Sequence, residues 1–368
     1  MNRIPARSLL LLGSTALALA AGEVLFRAFE PPTRPGKVVL YAANGQRLPG
    51  GEIAYFAARK AEYEQNVNLE IEAPHGLLQA NFHQSMAYED PKPRWDYFDE
   101  HGGVAIDTNS LGFRDLEFPA EKRPGEFRAL AIGDSFTFGQ GVRLDLTWPQ
   151  VLERDLRALR GEPVEVINAG FACGPGITTP DGYDRWLEAQ GIRLDPDLVI
   201  VGLCLNDLGY DVPMLSYEQV PSTPVLGGFS HLLDYLVWTW KVRTEPRNRL
   251  DVCRSLREHP EQWRGTQRGL LAMRDLLAAR GIPFVVAVFP MLSELGPDYP
   301  YQPLHDEVER FCRANGILRV DLRHAFDGYR EEDLWVHFCD QHPNHVGHAI
   351  MAGAILAFLD EKGLVPAR

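Results

Sequence analysis

The sequence predicts an α/β fold with a central parallel sheet covered by helices on both faces. Two observations carry this expectation. Short, mainly apolar runs alternate with longer amphipathic segments. Small and polar residues stand at the carboxyl ends of those runs, where parallel sheets present their sites.

In chain order, Phe127–Ile132 reads as the first buried strand and runs into Gly133-Asp134-Ser135. Thr147–Arg160 has helical spacing, with Trp148, Val151, Leu152, Leu156 and Leu159 toward one side. Val164–Ile167 is a second strand, closed by Asn168-Ala169-Gly170, and Asp181–Gln190 a helix. Leu198–Leu205 is a third strand ending at Asn206-Asp207. A helix over Trp263–Ala279, a strand over Phe284–Phe289, a helix over Leu304–Ala314 and a short strand around Leu318–Val320 follow. Val346–Leu359 is the last helix.

Ahead of this pattern the chain has a different character. Arg3 and Arg7 precede an uncharged run from Ser8 to Gly22, which Glu23 interrupts before apolar character resumes at Val24. The run is shorter than the roughly 20 residues that span a bilayer. Both a cleavable signal peptide and an uncleaved anchor fit it, and both place the rest of the chain on the outer side of a membrane. No Cys follows the run, which excludes a lipoprotein anchor. Pro31, Pro32 and Pro35 mark a linker, and Val38 to Asp115 reads as an irregular, partly β appendage ending in Asp107-Thr-Asn-Ser-Leu-Gly-Phe-Arg-Asp115. The expected divisions are therefore 1–30 as signal or anchor, 31–125 as linker and appendage, and 126–368 as the main domain. That domain carries an insertion at 208–252, whose Phe229, Tyr235, Trp238 and Trp240 suit a helix packed over the core, a lid over a cleft or a surface resting on the membrane.

Composition narrows the function. Lys+Arg at 37 against Asp+Glu at 50 gives a net charge of -13, which leaves no basic stripe to neutralise the phosphates of a nucleic acid. The five cysteines are scattered without metal-like spacing. Buried free thiols are the simpler reading, with a Cys253–Cys312 disulfide as the alternative in an exported chain. His337, His342, His345 and His348 lack the glutamate and the uninterrupted helix of an HExxH metal site, so no metal and no cofactor is expected.

The chemistry-bearing residues are spread over three strand ends and a loop entering the last helix. Ser135 follows a buried strand in a turn that exposes its hydroxyl, and its N–H suits a developing oxyanion. Gly170 ends the next strand with a bare backbone N–H, and Asn206 ends the one after it with a side-chain amide. Asp340 stands two residues before His342, close enough to orient an imidazole acting as a general base. A GDS alone is a weak signal, and a lone serine there is more often a helix cap. An α/β-hydrolase elbow needs Gly-x-Ser-x-Gly, but position 137 is Thr.

Taken in order, the four blocks resemble the SGNH/GDSL hydrolase superfamily from about Ala129 to the carboxyl terminus. The lead-in Asn109–Asp115 and the N-terminal apolar run resemble its bacterial membrane-attached members. The resemblance implies a flavodoxin-like three-layer sandwich, with Ser135 as nucleophile, His342 as base and Asp340 as its orienter. It further implies an oxyanion hole made by Ser135, Gly170 and Asn206. Two departures stand out: Cys204 occupies the place of a frequent glycine, and the acid lies two rather than three residues before the histidine. The expected activity is hydrolysis of O-acyl esters, most naturally O-acetyl groups of envelope polysaccharide, in an extracytoplasmic setting. An O-acyltransferase using the same serine, a lipid or small-ester esterase and an idle glycan-binding member are the alternatives. Oligomeric state is left open.

Overall fold

A computed structural model describes residues 14, 17–25, 38–42, 74–76, 78–88, 94–160, 163–171, 180–208, 230, 232–233, 256–257, 260–337 and 340–365. The chain divides into two compact units, one of 1–35 with 215–250 and one comprising the remainder.

In the larger unit, β1 (Val38–Ala42), β2 (His83–Tyr88) and β3 (Gly103–Asp107) form an antiparallel sheet in that order. The main sheet follows. β4 (Phe127–Gly133) leads into the four-residue helix α1 (Ser135–Phe138), then α2 (Trp148–Arg160) and β5 (Val164–Gly170). Next come α3 (Pro180–Ala189), β6 (Leu198–Cys204), α4 (Pro260–Ala278) and β7 (Phe284–Phe289). The unit ends with α5 (Gln302–Ala314), β8 (Leu318–Asp321), β9 (Trp335–His337), β10 (Asp340–Pro343) and α6 (His345–Glu361).

The five parallel strands lie in the order β5-β4-β6-β7-β8. This is the flavodoxin-like order, with its reversal at β4: the chain leaves β4 toward β5 and returns past it to β6. Right-handed crossovers then put α2 on one face and α3 and α4 on the other. The packing agrees, α2 against α6 and α3 against α4. Every residue of β4, β5, β6 and β7 is buried, as expected of strands covered on both faces, whereas the edge strand β8 is partly open.

Each of the ten strands and helices expected between Phe127 and Leu359 is present, within a few residues of the expected ends. The Asp340–His342 stretch differs from expectation. It is a strand, paired antiparallel with β9 through Asp340 and His337, rather than a loop. In an extended strand residues i and i+2 share a face, so Asp-x-His points both side chains the same way.

The smaller unit contains the helical residues 17–25, on which Leu17, Leu19, Val24 and Leu25 are exposed. Glu23, the charge that interrupts the apolar run, accepts hydrogen bonds from Ser230 Oγ at 2.8 Å and Leu232 N–H at 3.0 Å. Among the described residues no helix is long and apolar enough to cross a membrane. The run before Ser14, the linker prolines and the aromatic residues Phe229, Tyr235, Trp238 and Trp240 lie outside the described residues, so the packed-helix, lid and membrane-surface readings do too.

Cys204 and Cys312 are buried free thiols. Cys312, set in α5 and 1% exposed, is therefore not held in the alternative Cys253–Cys312 disulfide.

A cluster of buried acids lies where α2 meets β5. Burial, reinforced by Glu153 and Glu126, raises the Glu165 carboxyl to about 8. The folded protein thus keeps a proton that the unfolded chain releases above its ordinary pKa of 4.5. Stability conferred by Glu165 is present below that value and is lost as pH rises to about 8. Glu165→Gln is expected to make the decline in unfolding midpoint between about pH 5 and pH 8 shallower, measured by urea denaturation.

Candidate active site

The site is assembled at the carboxyl ends of β4 and β6, beside the point where strand order reverses. Three glycines, Gly170 of β5, Gly133 of β4 and Gly202 of β6, lie side by side in register across the sheet. A Cβ on Gly170 would fall 2.1 Å from the backbone nitrogen of Phe138, and one on Gly133 or Gly202 would strike Thr137 Oγ1. This row of missing side chains lets α1 lie directly on the strand ends. Gly202 makes that room within β6, and Cys204 two residues on is accommodated in the core.

Asp134 caps α1, its side chain accepting from Phe136 N–H at 2.9 Å. Its other oxygen accepts from Asn206 Nδ2 at 3.2 Å. Burial raises the Asp134 pKa in spite of these two donors and the nearby His342. Asp134 thus caps its own helix with one oxygen and, with the other, aims the amide of Asn206. Among the described residues the Ser135 N–H has no acceptor.

His342 Nε2 lies 2.7 Å from Ser135 Oγ, and His342 Nδ1 is hydrogen-bonded to Asp340 Oδ1. The His342 backbone N–H also donates to Asp340 Oδ1, at 3.1 Å. Burial opposes the charge on Asp340, but His342 beside it and the bonds from His342 and Tyr88 hold its pKa down to about 2. Asp340 is therefore a carboxylate throughout the neutral range, and Asp-x-His spacing delivers the contact that its departure from the usual spacing had put in question. Phe136 covers the imidazole, with ring centroids 5.5 Å apart.

Gly170 behaves differently from expectation. Its N–H donates to Asn168 Oδ1 at 3.0 Å, so the hydrogen proposed for an oxyanion already has an acceptor. Close packing against α1, rather than donation, accounts for a glycine there. Of the three expected donors, the Ser135 N–H has no acceptor among the described residues, and the Asn206 amide keeps a second N–H beyond its bond to Asp134.

The remaining histidines have separate partners. His348 Nδ1 accepts from Trp148 N–H at 3.0 Å, joining α6 to the start of α2, and burial lowers its pKa to about 3. His345 meets the edges of Trp95 and Tyr97, and His337 stacks on Tyr88.

Four contributors escaped the sequence reading. Arg114, 1% exposed, donates to the carbonyls of Phe138, Gly139 and Val142, clasping the carboxyl end of α1. Asp115 accepts from Asn168 N–H at 2.7 Å and from Gln150 Nε2 at 2.6 Å, tying β5 to α2. Asn109 folds the approach, its Oδ1 accepting from the N–H groups of Leu111 and Phe113. The Asn109–Asp115 lead-in is thus a clip on the serine-bearing helix. Tyr88 Oη donates to Asp340 Oδ2 at 2.7 Å. No local signal ties Tyr88 to a residue 252 positions away.

Solved structures of similar fold include a lipase/acylhydrolase from Enterococcus faecalis (16% identity, TM-score 0.39, covering 64% of this chain and 96% of that one). A catalytic mutant of an acetylxylan esterase from Geobacillus stearothermophilus is also similar (16% identity, TM-score 0.41, 66% and 95%). So is a lipolytic protein of the G-D-S-L family from Desulfitobacterium hafniense DCB-2 (17% identity, TM-score 0.40, 63% and 99%). No curated protein matches the sequence. The model of the GDSL-like Lipase/Acylhydrolase family matches residues 131–350, which is more than half of the chain and spans Ser135, Asn206, Asp340 and His342; the chain belongs to that family of ester hydrolases.

Proposed function

We propose that this hydrolase cleaves O-acyl esters, O-acetyl groups first among them, through an acyl-serine on Ser135. The continuous chain from Ser135 Oγ through His342 to Asp340 carries the reading. Ser135 Oγ attacks the acyl carbonyl carbon while His342 Nε2 takes the hydroxyl proton. Asp340 holds the Nδ1–H tautomer and offsets the imidazolium charge. The carbonyl oxygen, now negative, is met by the Ser135 N–H and by the Asn206 amide that Asp134 orients. Collapse expels the alkoxide, which takes the proton back from His342. Water then repeats the sequence on the acyl-serine, releasing the acid and restoring the hydroxyl.

The substrate is placed in the cell envelope, as acylated polysaccharide outside the cytoplasmic membrane. Arg3 and Arg7 before the uncharged run, and the exposed apolar residues at 17–25, support an outward-facing chain tethered or exported by its N terminus. The test is acetate release by the purified full chain from acetylated polysaccharide, compared with p-nitrophenyl esters of two to twelve carbons. Preferential turnover of acetyl esters supports the proposal. Turnover confined to long-chain esters would move the substrate to lipids, and acyl transfer to added sugar without acid release would make the enzyme a transferase.

A further inference from the structure

Tyr88 lies outside the residues that define the family, in the small antiparallel sheet, yet its side chain ends at the core of the site. We infer that Tyr88 is a positioning residue of this hydrolase, holding the Asp340 carboxylate so that its other oxygen meets His342; the inference rests on the roles proposed above for Ser135, His342 and Asp340.

The case is geometric. Tyr88 is 1% exposed and its hydroxyl donates to Asp340 Oδ2 at 2.7 Å, opposite the oxygen that receives His342. A carboxylate has two oxygens to satisfy when buried, and His342 occupies one. Gln140 Nε2, at 3.5 Å, is a weaker second donor to Oδ2. Space for the hydroxyl is built in. Gly141 takes φ of +72°, and a Cβ there would lie 2.3 Å from Tyr88 Oη and 2.5 Å from Val336 Cγ1. The ring is fixed by stacking on Phe98 at 5.6 Å and on His337 at 4.9 Å, and His337 is the cross-strand partner of Asp340.

The surrounding segment braces the same hairpin and the residues on either side of it. Trp95 Nε1 donates to Val336 O at 2.7 Å, Arg94 donates to Glu332 O, and Tyr97 packs edge-on against His345. The hairpin consists of a three-residue strand and a four-residue strand joined by an irregular register. Such a pair is marginal alone, so the acid and base need outside support to hold their geometry. In this protein the region ahead of the matched domain provides it.

The test compares the full chain with Tyr88→Phe, which removes only the hydroxyl and keeps both ring stacks. Loss of one hydrogen bond to a charged group predicts a fall in kcat of about tenfold, with KM nearly unchanged. Without that donor the Asp340 charge is less shared and acts more strongly on His342, so the acid limb of kcat/KM moves to higher pH. The titratable groups facing the pair are Asp134 from the β4–α1 turn, His348 from α6, Tyr97 from the 94–98 segment and His337 from β9. All are unaltered in the variant, so a displaced limb reports the Tyr88 contact.

NMR titration of the His342 imidazole reads the same contact without turnover. A lower kcat with an upward shift of the His342 midpoint supports the inference. Wild-type kcat and an unmoved midpoint in Tyr88→Phe would overturn it and leave Tyr88 a packing residue. A moved midpoint in a protein that hydrolyses no ester even as wild type would keep the hydrogen bond, but would sink the hydrolase roles and the catalytic purpose inferred here.

Discussion

Asp340→Asn is expected to lower kcat by about 10³- to 10⁴-fold while leaving KM and the folded structure nearly intact. The carboxylate now receives His342 Nδ1 on one oxygen and Tyr88 Oη on the other. An asparagine satisfies Tyr88 with its carbonyl oxygen and turns its NH₂ toward Nδ1. That arrangement selects the imidazole tautomer with its hydrogen on Nε2, the atom that must accept the Ser135 proton. The wrong tautomer and the missing negative charge act together, because both the ground-state orientation and the imidazolium depend on Asp340. Steady-state kinetics on an acetyl ester, with circular dichroism to confirm folding, checks this. A loss of tenfold or less would show that Ser135 and His342 work as a dyad.

Arg114→Met is expected to cost about 3 kcal/mol of stability, because several buried acceptors lose a charged donor at once. The guanidinium serves the carbonyls of Phe138, Gly139 and Val142, and lies over the Phe138 ring at 4.7 Å. Two of those carbonyls end α1, a helix too short to hold itself against the strand ends. A lower urea midpoint with an unchanged slope is the predicted result. Arg114→Lys should recover only part of the loss, since one ammonium cannot reproduce the planar fork. What remains folded should react more slowly at Ser135, because the clip that fixes the helix is gone.

The sheet was legible because β4, β5, β6 and β7 are largely apolar, Arg128, Glu165 and Asn168 being the exceptions, and short runs of that kind between amphipathic helices mark buried strands. Ser135 and Asn206 were legible because each follows an expected strand, and Asp340 and His342 because they stand two residues apart just before the last helix. Gly170 was not: a bare glycine at a strand end suits both an oxyanion donor and a tight helix contact, and only the Asn168 side chain separates the two. The β9–β10 hairpin was hidden by its brevity and by Pro343. Arg114 and Tyr88 act across the fold, and local periodicity carries no information about a carbonyl or carboxylate met only after the chain has folded.

The most direct test of the proposed site is labelling of the full chain by a fluorophosphonate, which reacts with an activated serine whatever the natural acyl group. Wild type should label, and Ser135→Ala and His342→Ala should both fail to label while remaining folded. Labelling that survives in Ser135→Ala, or its absence from folded wild-type protein, would contradict the assignment of Ser135 as a nucleophile activated by His342.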